Sequence, residues 1–203
     1  MFHILGSKDD VIKQDLTTHG LSLFDYFDIK YVTLHKELAT SSKIANIRQL
    51  MSEILNENIP IYEDSKMVVY KIPKPNSLEP FLLLNSDWHY FKNCTGEIEK
   101  IYDCNARAAT KNSEILIVNP TNSDIDVTLN LVLSSVENKK IMTVSMNNEK
   151  LNTFDIATTP TQIQIENLIL TSGVNVVTLD TDEFTLFQGK TVSFQVQSIS
   201  IIN

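Results

Sequence analysis

Ile125-Asp126-Val127-Thr128-Leu129-Asn130-Leu131-Val132-Leu133-Ser134 is the stretch that decides the fold. Val127, Leu129, Leu131 and Leu133 fall on every second position, with Asp126, Thr128 and Asn130 between them. A period of two sends one set to each face of a strand. Similar segments stand on both sides of it, at 115–118, 140–146, 163–170, 174–179 and 192–202. Asn119-Pro120-Thr121-Asn122, Met146-Asn147-Asn148-Glu149 and Ser172-Gly173-Val174-Asn175 read as turns between them. Only 5 glycines are present, so the turns must rely on Asn, Asp and Ser. Short strands at this spacing predict an antiparallel β-sandwich, jelly-roll or immunoglobulin-like in order.

Upstream the pattern changes near residue 75. Pro73, Pro75 and Pro80 mark a crossover, because proline fixes φ and lacks a donor. Before it, helical and strand-like segments alternate. Phe2–Leu5 reads as a short strand and 9–14 as an exposed helical turn. Leu21, Leu23, Phe24 and Phe27 form a short apolar face, and 29–34 alternates as a strand. Ile44, Ile47, Leu50, Met51, Ile54 and Leu55 recur at three- and four-residue steps, which predicts an amphipathic helix capped by Ser41 or Ser42 and ending near Asn58. Strands are expected at 59–62 and 67–72, and again at 81–84. The fold class is therefore α+β. An α/β segment at 1–75 is expected to pack against a β-sandwich at 76–203, whose lead-in at 85–110 is irregular and aromatic-rich.

With 42% hydrophobic and 21% charged residues, the chain can bury a core of ordinary size. Its net charge of -8 repels phosphate backbones, so nucleic acid is not an expected partner. No apolar run is long enough to span a bilayer, and the start at Met1-Phe2-His3 does not read as a signal peptide. If the protein is exported, its targeting segment lies outside this sequence.

Cys94 and Cys104 flank nine residues that can fold back as a hairpin. A disulfide there would add about 2–3 kcal/mol and imply an oxidising compartment. The alternative is two independent thiols. Asn93-Cys94-Thr95 matches a glycosylation acceptor, a pattern that also arises by chance.

No catalytic signature or phosphate loop is present, and no cofactor is called for. His3, His19, His35 and His89 show no metal-ligand spacing. Asp87-Trp88-His89-Tyr90-Phe91 is the densest aromatic cluster. Flat rings beside a carboxylate suit a sugar, and Asp87 with His89 suits acid–base work. The same rings equally suit packing in the sandwich. Arg107 stands alone among small residues, as a buried partner for a carboxylate or as a ligand contact. Asp180, Asp182 and Glu183 crowd one turn, either as oxygen ligands for a hard cation or as an acidic solvated turn.

Segments 29–36, 61–64 and 69–73, together with Trp88, Arg107 and 172–177, resemble the extracytoplasmic C-terminal region of multi-pass membrane proteins of the glycosyltransferase C type, archaeal and bacterial. The resemblance implies a non-catalytic module outside the membrane. Its partner would be the membrane-embedded part of a parent protein, and it would bind a glycan or brace the parent. A free-standing carbohydrate-binding or cell-surface domain, cytoplasmic if it stands alone, is the second expectation. A hydrolase working through Asp87 and His89 is the third.

Overall fold

A computed structural model describes residues 11–13, 15–56, 60–85, 87–89, 106–187 and 190–202. The chain forms two compact units, Gln14–Phe81 and a second that joins Met1–Lys13 to Leu82–Asn203.

In the Gln14–Phe81 unit, helix α1 (Leu16–Tyr26) is followed by strand β1 (Tyr31–His35), helix α2 (Ser41–Leu55), β2 (Tyr62–Glu63) and β3 (Met67–Lys71). The strands form an antiparallel sheet in the order β1-β3-β2. Helix α2 is capped by Thr40, whose hydroxyl accepts from the Lys43 N–H, rather than by either serine after it. It stops at Asn56, which takes the left-handed conformation that ends helices. The fully buried Ser22 Oγ accepts from the Glu79 N–H at 2.8 Å, and His19 Nδ1 lies 2.7 Å from the Pro80 carbonyl, which fastens the proline segment to α1. Glu63 accepts from both Arg48 of α2 and Lys36. The Arg48 hydrogen bond, then the Lys36 one, holds its carboxyl below the usual carboxylate range.

Gly20 is where the two helices meet. A β-carbon there would lie 2.9 Å from Cγ1 and 3.1 Å from Cγ2 of the buried Ile54. Ile54 is branched at Cβ and cannot withdraw both carbons at once. Gly20→Ala should gain about 1 kcal/mol of helix propensity and lose about 1–3 kcal/mol to overpacking. Net destabilisation, read as a lower thermal midpoint, is the expected result; a stabilised variant would show that the helices part freely here.

The second unit contains β4 (Phe81–Leu84), β5 (Trp88–His89), β6 (Arg107–Ala109), β7 (Asn112–Asn119), β8 (Ile125–Ser135), β9 (Lys140–Met146), β10 (Glu149–Ile156), β11 (Thr161–Leu170), β12 (Gly173–Thr181), β13 (Thr185–Phe187), β14 (Lys190–Val192) and β15 (Phe194–Ile202). Two five-stranded sheets form, in the orders β10-β9-β12-β7-β4 and β11-β8-β15-β6-β5. Antiparallel partners nest: β6 with β15, β7 with β12, β8 with β11, β9 with β10. Successive pairs alternate between the sheets, which is jelly-roll order and resolves the two topologies expected from sequence.

The inward positions of both sheets make one core. Val127, Leu129, Leu131 and Leu133 of β8 meet Ile115 and Ile117 of β7, Met142 and Val144 of β9, and Val177 and Leu179 of β12. Residues 11–13, expected in a helical turn, are extended. Ile12 bridges Ile199 in parallel, Val11 O accepts from Ile199 N at 2.7 Å, and Val11 is fully buried. Two adjacent β-branched residues favour an extended seat in the sheet over a solvated turn.

Candidate functional site

The sandwich has one side on which both sheets end in long strands. There β10 closes the first sheet and β11 the second. Each carries a bulge. On β10, Leu151 is the extra residue between Lys150, opposite Ser145, and Asn152, opposite Val144. On β11 the register slips between Ile165, opposite Leu129, and Leu168, opposite Val127, so Glu166 and Asn167 share one partner position. Asn167 takes φ 58°, a left-handed conformation that asparagine tolerates. A bulge blunts an open edge and also re-aims side chains.

Between these edges lies a cleft of about 350 Å³, lined by Leu151, Asn152, Gln164, Ile165, Glu166, Asn167 and Leu168. Ile165 and Leu168 lie behind it in the core, so its accessible apolar surface comes mainly from Leu151, which is 40% exposed. Asn152 uses its Oδ1 on the neighbouring Thr153 N–H at 2.8 Å, which leaves its amide donors available. Gln164, Glu166 and Asn167 are exposed, and their side chains hold no hydrogen bond to other described residues. Three amides and a carboxylate therefore stand beside the exposed Leu151. Such a surface offers donors and acceptors to hydroxyls and an apolar contact to C–H groups. No Lys or Arg lines it.

Trp88 sits elsewhere. It is 7% exposed on β5, within the sandwich core, with its ring edge-on to Phe194 at 6.2 Å. Its indole N–H donates to the Glu114 carbonyl at 2.8 Å. Of the two readings of Trp88, packing in the sandwich or contact with a sugar, the buried ring fits the packing one. Asp87 is exposed in the turn before β5, and His89 is half-buried opposite Ala108. Arg107 is half-buried on β6 opposite Val196. Tyr90, Asn93, Cys94 and Cys104 lie outside the described residues, as does the expected strand at 2–5.

Asp180, Asp182 and Glu183, the candidate oxygen ligands or acidic turn, lie at the end of β12 and just beyond it. Asp180 lies on β12 opposite Thr143, and Thr181 is the last residue of that strand. Asp182 Oδ1 accepts from the Ile141 N–H, and the Glu183 carbonyl accepts from the Ser193 hydroxyl. Among the described residues no three His, Cys, Asp or Glu side chains gather closely enough to hold a metal ion. No described helix is long and apolar enough to cross a membrane.

The cleft residues were missed in the sequence because Gln162, Gln164 and Glu166 read as the solvated face of one strand. One signal was present. The apolar spacing 163, 165, 168, 170 slips by one residue at Glu166-Asn167, the mark of an inserted residue in a strand.

No family model matches the chain, and no curated protein matches it. Solved structures do. A carbohydrate-binding module of family 35 from Cellvibrio japonicus overlaps with a TM-score of 0.40 at 14% identity, over 62% of this chain and 94% of that one. A family 35 carbohydrate-binding module described in complex with a glucuronic acid-containing disaccharide gives 0.37 at 14% identity, over 60% and 92%. Another family 35 module, from an environmental isolate, gives 0.34 at 15% identity, over 46% and 68%. Overlaps this loose say nothing about a ligand.

Proposed function

We propose that this chain is a non-catalytic sugar-binding module whose ligand lies in the β10–β11 cleft. The observation that carries the reading is the cleft lining itself, in which Asn152, Gln164, Glu166 and Asn167 stand beside the exposed Leu151. Polar groups beside one exposed aliphatic side chain offer partners to both the O–H and the C–H groups of a pyranose. Glycoside hydrolysis ordinarily needs two carboxyl groups, and Glu166 is the single titratable side chain in this lining. The cleft therefore suits holding a sugar rather than cutting it.

The setting follows from the sequence resemblance alone. On that basis the module is carried on the outer face of a membrane by a larger protein. Membrane helices encoded in frame upstream of Met1 would support this, and an in-frame stop codon directly before Met1 would remove it.

The site is tested by calorimetry against neutral, amino and acidic oligosaccharides. Gln164→Ala and Asn152→Ala should each weaken binding by about two- to tenfold, the worth of one hydrogen bond. Both side chains are exposed, so the thermal midpoint should hold. Placing a charge on the rim with Leu151→Asp should weaken binding further. A panel without a single binder, or binding that survives Gln164→Ala combined with Leu151→Asp, would remove the cleft as the site.

A further inference from the structure

Resting on the reading of the cleft as a sugar site, we infer that its preferred ligand is a sugar bearing a free amine, bound through the Glu166 carboxylate. Glu166 is the one charged side chain in the lining. It is exposed and holds no hydrogen bond to other described residues, so no described Lys or Arg occupies it. An ionised carboxylate only accepts, and an ammonium only donates. The two make a charge-assisted hydrogen bond, stronger than the neutral bond a hydroxyl or an acetamide N–H gives the same oxygen.

The rest of the lining does not counter this preference. Asn152, Gln164 and Asn167 are neutral amides that serve hydroxyls of any sugar. A uronate would bring a second carboxylate against Glu166 with no lining Lys or Arg to receive it, so acidic sugars are disfavoured. N-acetylation removes the charge and adds bulk at the same carbon, so an acetylated ligand keeps the amide contacts and loses the ionic one.

The chain as a whole is acidic, with net charge -8, and would attract any polycation weakly. The site-specific effect separates from that background in a single variant. Glu166→Gln keeps shape and hydrogen-bonding capacity and changes the net charge by only one. The experiment is calorimetry at about 0.15 M salt, where surface fields are screened within about 8 Å. The probes are three oligosaccharides of equal length and linkage: free-amine, N-acetylated and uronate-bearing. In the natural sequence the free-amine ligand should bind about five- to tenfold tighter than the N-acetylated one, with the uronate weakest. In Glu166→Gln the ratio of free-amine to N-acetylated affinity should fall to about one. A preference that survives in Glu166→Gln, or an N-acetylated or uronate ligand that binds at least as tightly as the amine, overturns the inference and leaves the sugar site standing. Absence of binding by all three overturns the sugar site and the inference with it.

Discussion

Trp88→Ala is expected to lower the unfolding free energy of the sandwich by about 3–5 kcal/mol, the usual loss for a buried aromatic. Trp88 fills the core beside Phe194, and its N–H satisfies the Glu114 carbonyl. Alanine leaves a cavity that rigid strands close only in part, and it removes the shorter of the two hydrogen bonds that carbonyl accepts, leaving the one from Asn85 N at 3.3 Å. Trp88→Phe separates the two losses, because it restores much of the volume and not the hydrogen bond; it should cost about 1–2 kcal/mol. Denaturant titration followed by circular dichroism reads both. Trp88 is also the only tryptophan, so its fluorescence reports the core. Emission should be blue-shifted in the native protein and unmoved by a sugar that fills the β10–β11 cleft. A loss under about 1 kcal/mol in Trp88→Ala, or emission that tracks ligand, would show that the ring faces solvent.

Asn175→Ala is the second large loss, about 2 kcal/mol or more. Asn175 is fully buried near the start of β12. Its Oδ1 accepts from Thr171 N and Thr171 Oγ1, both at 3.1 Å, and from Asn147 Nδ2 at 3.2 Å. Its Nδ2 donates to Thr171 O at 2.8 Å. Asn147 in turn accepts from Val176 N at 2.9 Å. One side chain thus ties the β11–β12 turn to the hairpin that leads into β10. Asn147 and Asn148 both take positive φ there, as a two-residue hairpin turn requires. Asn175→Asp keeps the acceptors, loses the donors and buries a charge. Burial raises such a carboxyl, so the folded state holds its proton more tightly than the unfolded one. Asn175→Asp should therefore be less stable than Asn175→Ala at neutral pH and recover as pH falls below the raised value. Equal stability of the two across pH would show that solvent reaches the site. Because the same hairpin positions β10, Asn175→Ala should also loosen one wall of the cleft.

Strand β10 shows where sequence reading stopped. In Glu149-Lys150-Leu151-Asn152-Thr153-Phe154-Asp155-Ile156 the extra residue at Leu151 breaks the period of two. Its side chains are exposed except at Phe154 and Ile156. An edge strand with so little burial leaves almost no apolar rhythm to read. Strands β4 and β9 were legible to the residue in their bounds; the burial of β4 follows its apolar run, whereas in β9 Lys140 is buried and Ile141 exposed, which local hydrophobicity does not foretell. Pairing between β7 and β12, more than fifty residues apart, was not legible, since it arises from register rather than from local pattern.

The amino-acid sequence by itself determined the β-rich half, the α2 helix, the turn positions and the acidic character of the chain. Each follows from local periodicity, backbone preference or a simple sum of charges. Only the tertiary structure decided the nested jelly-roll order, the burial of Trp88, the extended seat of Val11 and Ile12, and the cleft. These depend on which edges and faces come together across long sequence separations. The bulges that shape the cleft settle between paired strands, so they exist only once the partners are in register.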